Sequence, residues 1–145
     1  MLLSKRTQYG IRALVCLADA YERGFLQAGE VARREKLPPK FLESILNALT
    51  RSNFLISKIG AAGGYRLARP PKEIMLGGII ARLEGRRLMQ TQPAAHAGER
   101  PGESAIRLVQ AHLTDAVRQV LDSTSLADLA EQGAAQSNEG RMYFI

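Results

Sequence analysis

Between Pro39 and Ser52 the chain reads PKFLESILNALTRS. Within it, Leu42, Ile45, Leu46 and Leu49 follow the i, i+3, i+4, i+7 spacing that gathers apolar side chains into one stripe of an α-helix. Such a stripe has to be covered by other elements of a domain. Pro39 suits the first helical turn, where a backbone N–H would have no partner anyway. The opposite face carries Lys40, Glu43, Ser44, Asn47 and Arg51, all capable of hydrogen bonding. A solvated face has a similar composition, so the stripe predicts a buried helix without deciding what its other side meets.

The segment that follows narrows the choice. Residues 55–59 (LISKI) are apolar and β-branched, and 65–68 (YRLA) form a second short strand-like run. Gly60, Ala61, Ala62, Gly63 and Gly64 connect them with the length of a hairpin loop, and the glycines supply the positive-φ conformations such a turn uses. The strands are expected to carry Lys58 and Arg66 outward. A phosphate-binding loop is the competing reading, but G-x-x-x-x-G-K-[ST] is absent and no helix follows the glycines at once.

Upstream, Tyr9, Ala13, Leu14, Leu17, Ala18 and Tyr21 have helical spacing, with Gly24 as the stop. GEVARREKL, residues 29–37, reads as a short helix with Val31 and Ala32 inward and Arg33, Arg34 and Lys36 outward. Helix, helix, helix, hairpin is the order of a winged helix-turn-helix, whose third helix enters the major groove while the hairpin reaches adjacent backbone or minor groove. Charge agrees. Residues 1–75 hold 13 Lys/Arg against 6 Asp/Glu, whereas 76–145 hold 7 against 8, so the positive excess lies in one half and suggests a polyanion there.

The opening twenty residues imitate an export signal, but Arg12 leaves only Ala13 to Ala18 as an apolar core, and a cytoplasmic protein is expected. No apolar run reaches membrane-spanning length. Cys16, the single cysteine, lies among Leu14, Val15 and Leu17 and reads as a small buried hydrophobe, with a redox-sensing thiol the lesser alternative. His96 and His112 are too few and too scattered for a metal site, so neither metal nor cofactor is expected. Nothing resembles a nucleophile–base pair or a carboxylate cluster, so an enzyme is not expected.

Residues 74–84 (IMLGGIIARLE) suggest a fourth helix with Leu76, Ile79, Ile80 and Leu83 inward, although Gly77 and Gly78 favour a later start. Periodicity vanishes over 85–103, a loop long enough to be functional or disordered. It returns from Ser104 to Asp122, where Ile106, Val109, Leu113, Val117, Val120 and Leu121 line one side of a long helix. Burying six such side chains is worth about 1.5–3 kcal/mol each, which calls for a partner surface. A second subunit is the expected partner, and packing back onto the same domain is the alternative. SLADLAEQ reads as a short helix capped by Ser125, and 133–145 as a tail. The fold expected is mainly α with a small β-hairpin: a winged helix-turn-helix domain over 1–84, the loop 85–103, and a dimerisation helix with a short helix over 104–132.

YGIRALVCLA, FLESILNALTRSNFLISKIGAAGGYRLARPP and EIMLGGIIARLEG together resemble bacterial winged-helix regulators of the Rrf-two family, over essentially residues 1–132. The resemblance implies a homodimer with crossed fifth helices, carrying two reading domains to a pseudo-palindromic operator in double-stranded DNA. It makes Lys40, Glu43 and Ser44 the major-groove readers, with Asn47 and Arg51 further along the same face and Lys58 and Arg66 on the wing. Many relatives place an arginine immediately before the wing glycine, where this chain has Ile59. Cluster-binding relatives place three cysteines between the fourth and fifth helices, opposite Gln92, Gly98 and Ser104 here, and a further ligand opposite Arg107. Iron–sulfur clusters need several thiolates, so no cluster is expected. A dimeric DNA-binding regulator, acting as a repressor, is the leading expectation. A protein-interaction module, or a regulator governed by a protein partner, is the alternative.

Overall fold

A computed structural model describes residues 3–85 and 93–142. The first helix, α1 (Lys5–Asp19), begins where the Ser4 hydroxyl accepts the Thr7 N–H at 3.2 Å. It buries Ala13, Leu14 and Leu17 and ends in a 3-10 turn, Tyr21–Arg23, before Gly24 at φ +101°. The second helix, α2 (Ala28–Glu35), buries Val31 and Ala32 and stops at Lys36, which takes the left-handed conformation. The third, α3 (Pro39–Arg51), has Pro39 in its first turn and buries Leu42, Ile45, Leu46 and Leu49 almost completely. These stripes meet one another and Ile79 and Leu83 of α4 (Leu76–Glu84) in a single core.

Two antiparallel strands, β1 (Leu55–Lys58) and β2 (Gly64–Leu67), form the wing. Their register pairs Leu55 with Leu67, Ile56 with Arg66, Ser57 with Tyr65 and Lys58 with Gly64. Leu55 and Leu67 seal the base of the hairpin into the core. Leu26 adds a short third rung, exchanging hydrogen bonds with Tyr65 in both directions at 2.9 and 2.7 Å. Gly64, at φ +126°, makes that approach possible: a Cβ there would collide with the Leu26 carbonyl.

Beyond the core the chain behaves differently. The fifth helix, α5 (Pro101–Ser123), starts three residues earlier than its apolar pattern, because the Glu103 carboxylate accepts from both the N–H and the guanidinium of Arg100 and Pro101 fits the first turn. It touches its own domain through its C-terminal end, where Leu121 is buried and the backbone passes close to Gly77 of α4. The Leu76 N–H donates to the Thr124 carbonyl and the Leu126 N–H to the Ile74 carbonyl, each at 2.8 Å, which closes the joint. Leu121 therefore belongs to the intrachain core and not to the exposed stripe in which the sequence pattern places it. The sixth helix, α6 (Leu126–Met142), is opened by a reciprocal pair: the Ser125 N–H donates to Asp128, and the Asp128 N–H to the Ser125 hydroxyl. It packs along α1 and continues ten residues beyond the expected short helix. Gly133 does not stop it, because Ala134, Ala135 and Gln136 favour helix and no proline intervenes. Of the expected tail, 143–145 lie outside the described residues, as do 86–92 of the expected loop.

Replacing Gly64 by alanine is expected to lower the unfolding free energy by roughly 2 kcal/mol or more, from positive-φ strain together with collision at Leu26. Urea denaturation of the two proteins reads this directly.

Candidate nucleic-acid interface

Because the apolar stripe of α3 faces the core, Lys40, Glu43, Ser44, Asn47 and Arg51 all stand exposed. The wing flanks this face. Glu43 on α3, Ser57, Lys58 and Tyr65 on the strands, and Gln27 at the start of α2 line one open cleft of about 330 Å³. A direct bond spans the two elements: the Tyr65 hydroxyl donates to Asn47 Oδ1 at 3.0 Å. The wing tip is held as well, since the Gln27 amide donates to the Gly60 and Ala61 carbonyls at 3.1 and 3.2 Å. A polar helix face and a hairpin thus stand as two walls of one concave surface, the hairpin seated in the core by Leu55 and Leu67. Sequence pattern finds neither Tyr65 nor Gln27 as a site residue, since both act across long separations in the chain.

The cations of this half are not equally available. Glu30 accepts from both Arg33 and Arg34, at 2.6 and 2.8 Å, and these two guanidinium groups hold its carboxyl at about 2, so the trio stays ionised at neutral pH. Arg12 pairs with Glu35 at 3.5 Å. Arg66 is not directed outward as the strand pattern predicts: its Nε donates to the Tyr21 carbonyl at 3.1 Å, and its guanidinium lies 4.9 Å from the Tyr21 ring centre. In β2 it opposes Ile56, on the side turned to the 3-10 turn, whereas Tyr65 and Ser57 face α3. Lys58 lines the cleft, its ammonium 5.8 Å from the Phe25 ring centre, and Lys40 and Arg51 are exposed on α3. Ile59 at the wing tip is 99% exposed and offers an apolar contact instead of a charge.

The model of a family described as "Rrf2: Iron-dependent Transcriptional regulator" matches residues 3–132. The chain belongs to the Rrf2 family. It is 32% identical to the HTH-type transcriptional regulator CymR of Bacillus subtilis, over the full length of both chains. Its fold is similar to the solved structure of B. subtilis CymR, described as the global cysteine regulator, with a TM-score of 0.79 at 32% identity, covering 91% of this chain and 98% of the other. It is also similar to T. potens IscR, with a TM-score of 0.74 at 28% identity, covering 92% and 88%. The chain is therefore a winged-helix, DNA-binding transcription regulator and not an enzyme. Among the described residues no helix is long and apolar enough to cross a membrane.

The donor set does not fit an iron–sulfur cluster. The one cysteine, Cys16, is buried in α1, and burial pushes its thiol up, away from the thiolate a metal requires. Of the positions opposite the cluster ligands, Gln92 lies outside the described residues, and Gly98 is an exposed loop residue at φ +82°. Ser104 and Arg107 both close on Glu99: the Ser104 hydroxyl donates at 2.7 Å, and the guanidinium donates twice, at 3.0 and 3.1 Å. Those bonds hold the Glu99 carboxyl below its ordinary range. His96 and His112 are both exposed and lie apart on the loop and on α5.

On duplex DNA, Lys58→Ala is expected to make the dependence of log K on log salt shallower by about 0.9 for each site bound, because one phosphate contact is lost. Arg66→Met is expected to leave that slope unchanged. Filter-binding titrations across a salt series separate the two.

Proposed function

We propose that this protein is a homodimeric, sequence-specific transcription regulator, acting as a repressor on a pseudo-palindromic operator without an iron–sulfur cluster. The observation that supports the reading is the placing of the polar face of α3 beside the wing in one concave surface lined by Glu43 and Lys58, with Lys40 and Arg51 exposed on the same helix. The dimensions of a winged helix suit this surface to the major groove, with Lys40, Glu43 and Ser44 reaching base edges, Asn47 and Arg51 following, and Lys58 on the backbone beside the groove. Glu43 accepts from cytosine N4, and Lys40 addresses guanine or phosphate. Arg66, tucked against Tyr21, supports the wing from behind.

Dimerisation rests on α5. Ile106, Val109, Leu113 and Val120 are between 54% and 63% exposed, on a helix joined to its domain at the C-terminal end, and Val117 lies on the same face. A 23-residue helix with such a stripe is poorly stable alone in water, and a second copy of the same stripe covers it symmetrically. Repression follows if the bound dimer occupies promoter DNA. Relief of repression does not then pass through a cluster.

Retention of genomic fragments on the purified protein tests the reading: a shared inverted repeat among retained fragments is expected, and uniform retention of all fragments overturns it. Leu113→Glu is expected to leave the domain folded, to yield monomers in sedimentation velocity, and to lower operator affinity by tenfold or more. Leu121→Ala is expected to reduce thermal stability and leave the dimer in place.

A further inference from the structure

We infer that Tyr65 sets what Asn47 reads: its hydroxyl turns the asparagine amide so that the Nδ2 hydrogens, and not the carbonyl oxygen, are offered to the duplex. The inference deepens the DNA-reading role proposed above and rests on it.

An asparagine free to rotate reads adenine well, because Oδ1 accepts from N6 while Nδ2 donates to N7. That pairing requires both ends of the amide to face the base together. Here Oδ1 is engaged by the Tyr65 hydroxyl at 3.0 Å and is held toward the wing. The end left over is Nδ2, a donor. An amide fixed in this way favours guanine, whose N7 and O6 both accept, thymine O4 or a phosphate oxygen over adenine, whose N7 acceptor stands beside an N6 donor that the turned-away Oδ1 does not meet.

The bond is more than a chance contact between surface side chains, because the position of Tyr65 is determined on three sides. Its backbone N–H and carbonyl both bond Leu26, at 2.7 and 2.9 Å. The residue before it, Gly64, has no room for a side chain under the Leu26 carbonyl. Across the hairpin it is in register with Ser57, and its ring packs against the buried core. The hydroxyl is therefore delivered to α3 by a residue whose backbone is held on both sides, which is what orienting a reading group requires. Asn47 itself is on the exposed face of α3, one turn beyond Glu43 and Ser44, where its free end meets solvent or a duplex. Tyr65 is thus a positioning residue for Asn47.

The test is selection of bound sequences from a duplex pool randomised over the operator, followed by competition titrations with the selected duplexes. For the unaltered protein, guanine or thymine is expected at the base pair covered by Asn47, with adenine disfavoured. Tyr65→Phe keeps the ring and removes the hydroxyl. It is expected to release the amide and shift relative affinity toward adenine at that one base pair by about fivefold or more, leaving the other positions unchanged. Asn47→Ala is expected to abolish preference at that base pair, and Tyr65→Phe added to it is expected to change nothing further. Asn47→Asp, which keeps an acceptor for the hydroxyl but has no donors, is expected to lose the guanine or thymine preference while the wing stays in place. A merely structural Tyr65 would lower affinity for all sequences equally, and that uniform loss overturns the inference. So does selection of adenine by the unaltered protein in a manner that depends on Asn47. Failure of the unaltered protein to select any sequence removes the reading role and this inference with it, whereas a selected operator that Tyr65→Phe reads identically overturns the inference alone.

Discussion

Leu42, Ile45, Leu46 and Leu49 are almost inaccessible to solvent, and their burial orients everything else on α3. Turning those four side chains toward α1, α2 and α4 leaves Lys40, Glu43, Ser44, Asn47 and Arg51 no place but outside. Truncating any one of the leucines to alanine removes about 2–5 kcal/mol, a large part of what holds a domain of this size together. The exposed polar face and the stability of the domain thus share one helix. A small winged domain has few other ways to hold a helix rigidly while exposing half of it.

The wing obeys a second constraint, close approach of backbones. Gly64 admits Leu26, Leu26 fixes Tyr65, and Tyr65 reaches Asn47. Only the first link has a signature in the chain itself, as part of the glycine-rich turn. The hairpin is legible for that reason, and so is the helix before it. The partners of Tyr65 are not, because they lie 39 and 18 positions away and no periodicity connects them. Arg66 shows the same limit. Strand alternation says that it leaves the face of Tyr65, and only the fold says that Tyr21 waits on the other side.

Charge is similarly readable in total and opaque in detail. The excess of cations in residues 1–75 is a property of composition, but Glu30 occupies Arg33 and Arg34, and Glu35 occupies Arg12. What remains near the cleft is a shorter set than the count suggests. In the other half, the apolar stripe on α5 is legible from spacing, while the fate of Leu121 is not: it follows the same period yet faces Gly77, because the chain turns back at Thr124. The extension of α6 past Gly133 escaped the pattern because one glycine among good helix formers costs about 1 kcal/mol, too little to end a helix that is already packed.

The seam at Ile74–Gly77 and Leu121–Leu126 fastens a long rod to a compact head by a short hinge-like patch. With 23 residues at 1.5 Å each, that rod is about 35 Å long, so a tilt of about ten degrees at the patch swings its free end by about 6 Å. In the dimer proposed above, such a swing would be close to two base-pair steps along a duplex. In that proposed dimer, the spacing between half-operators would depend on the fit of Gly77 against the end of α5, far from any nucleotide.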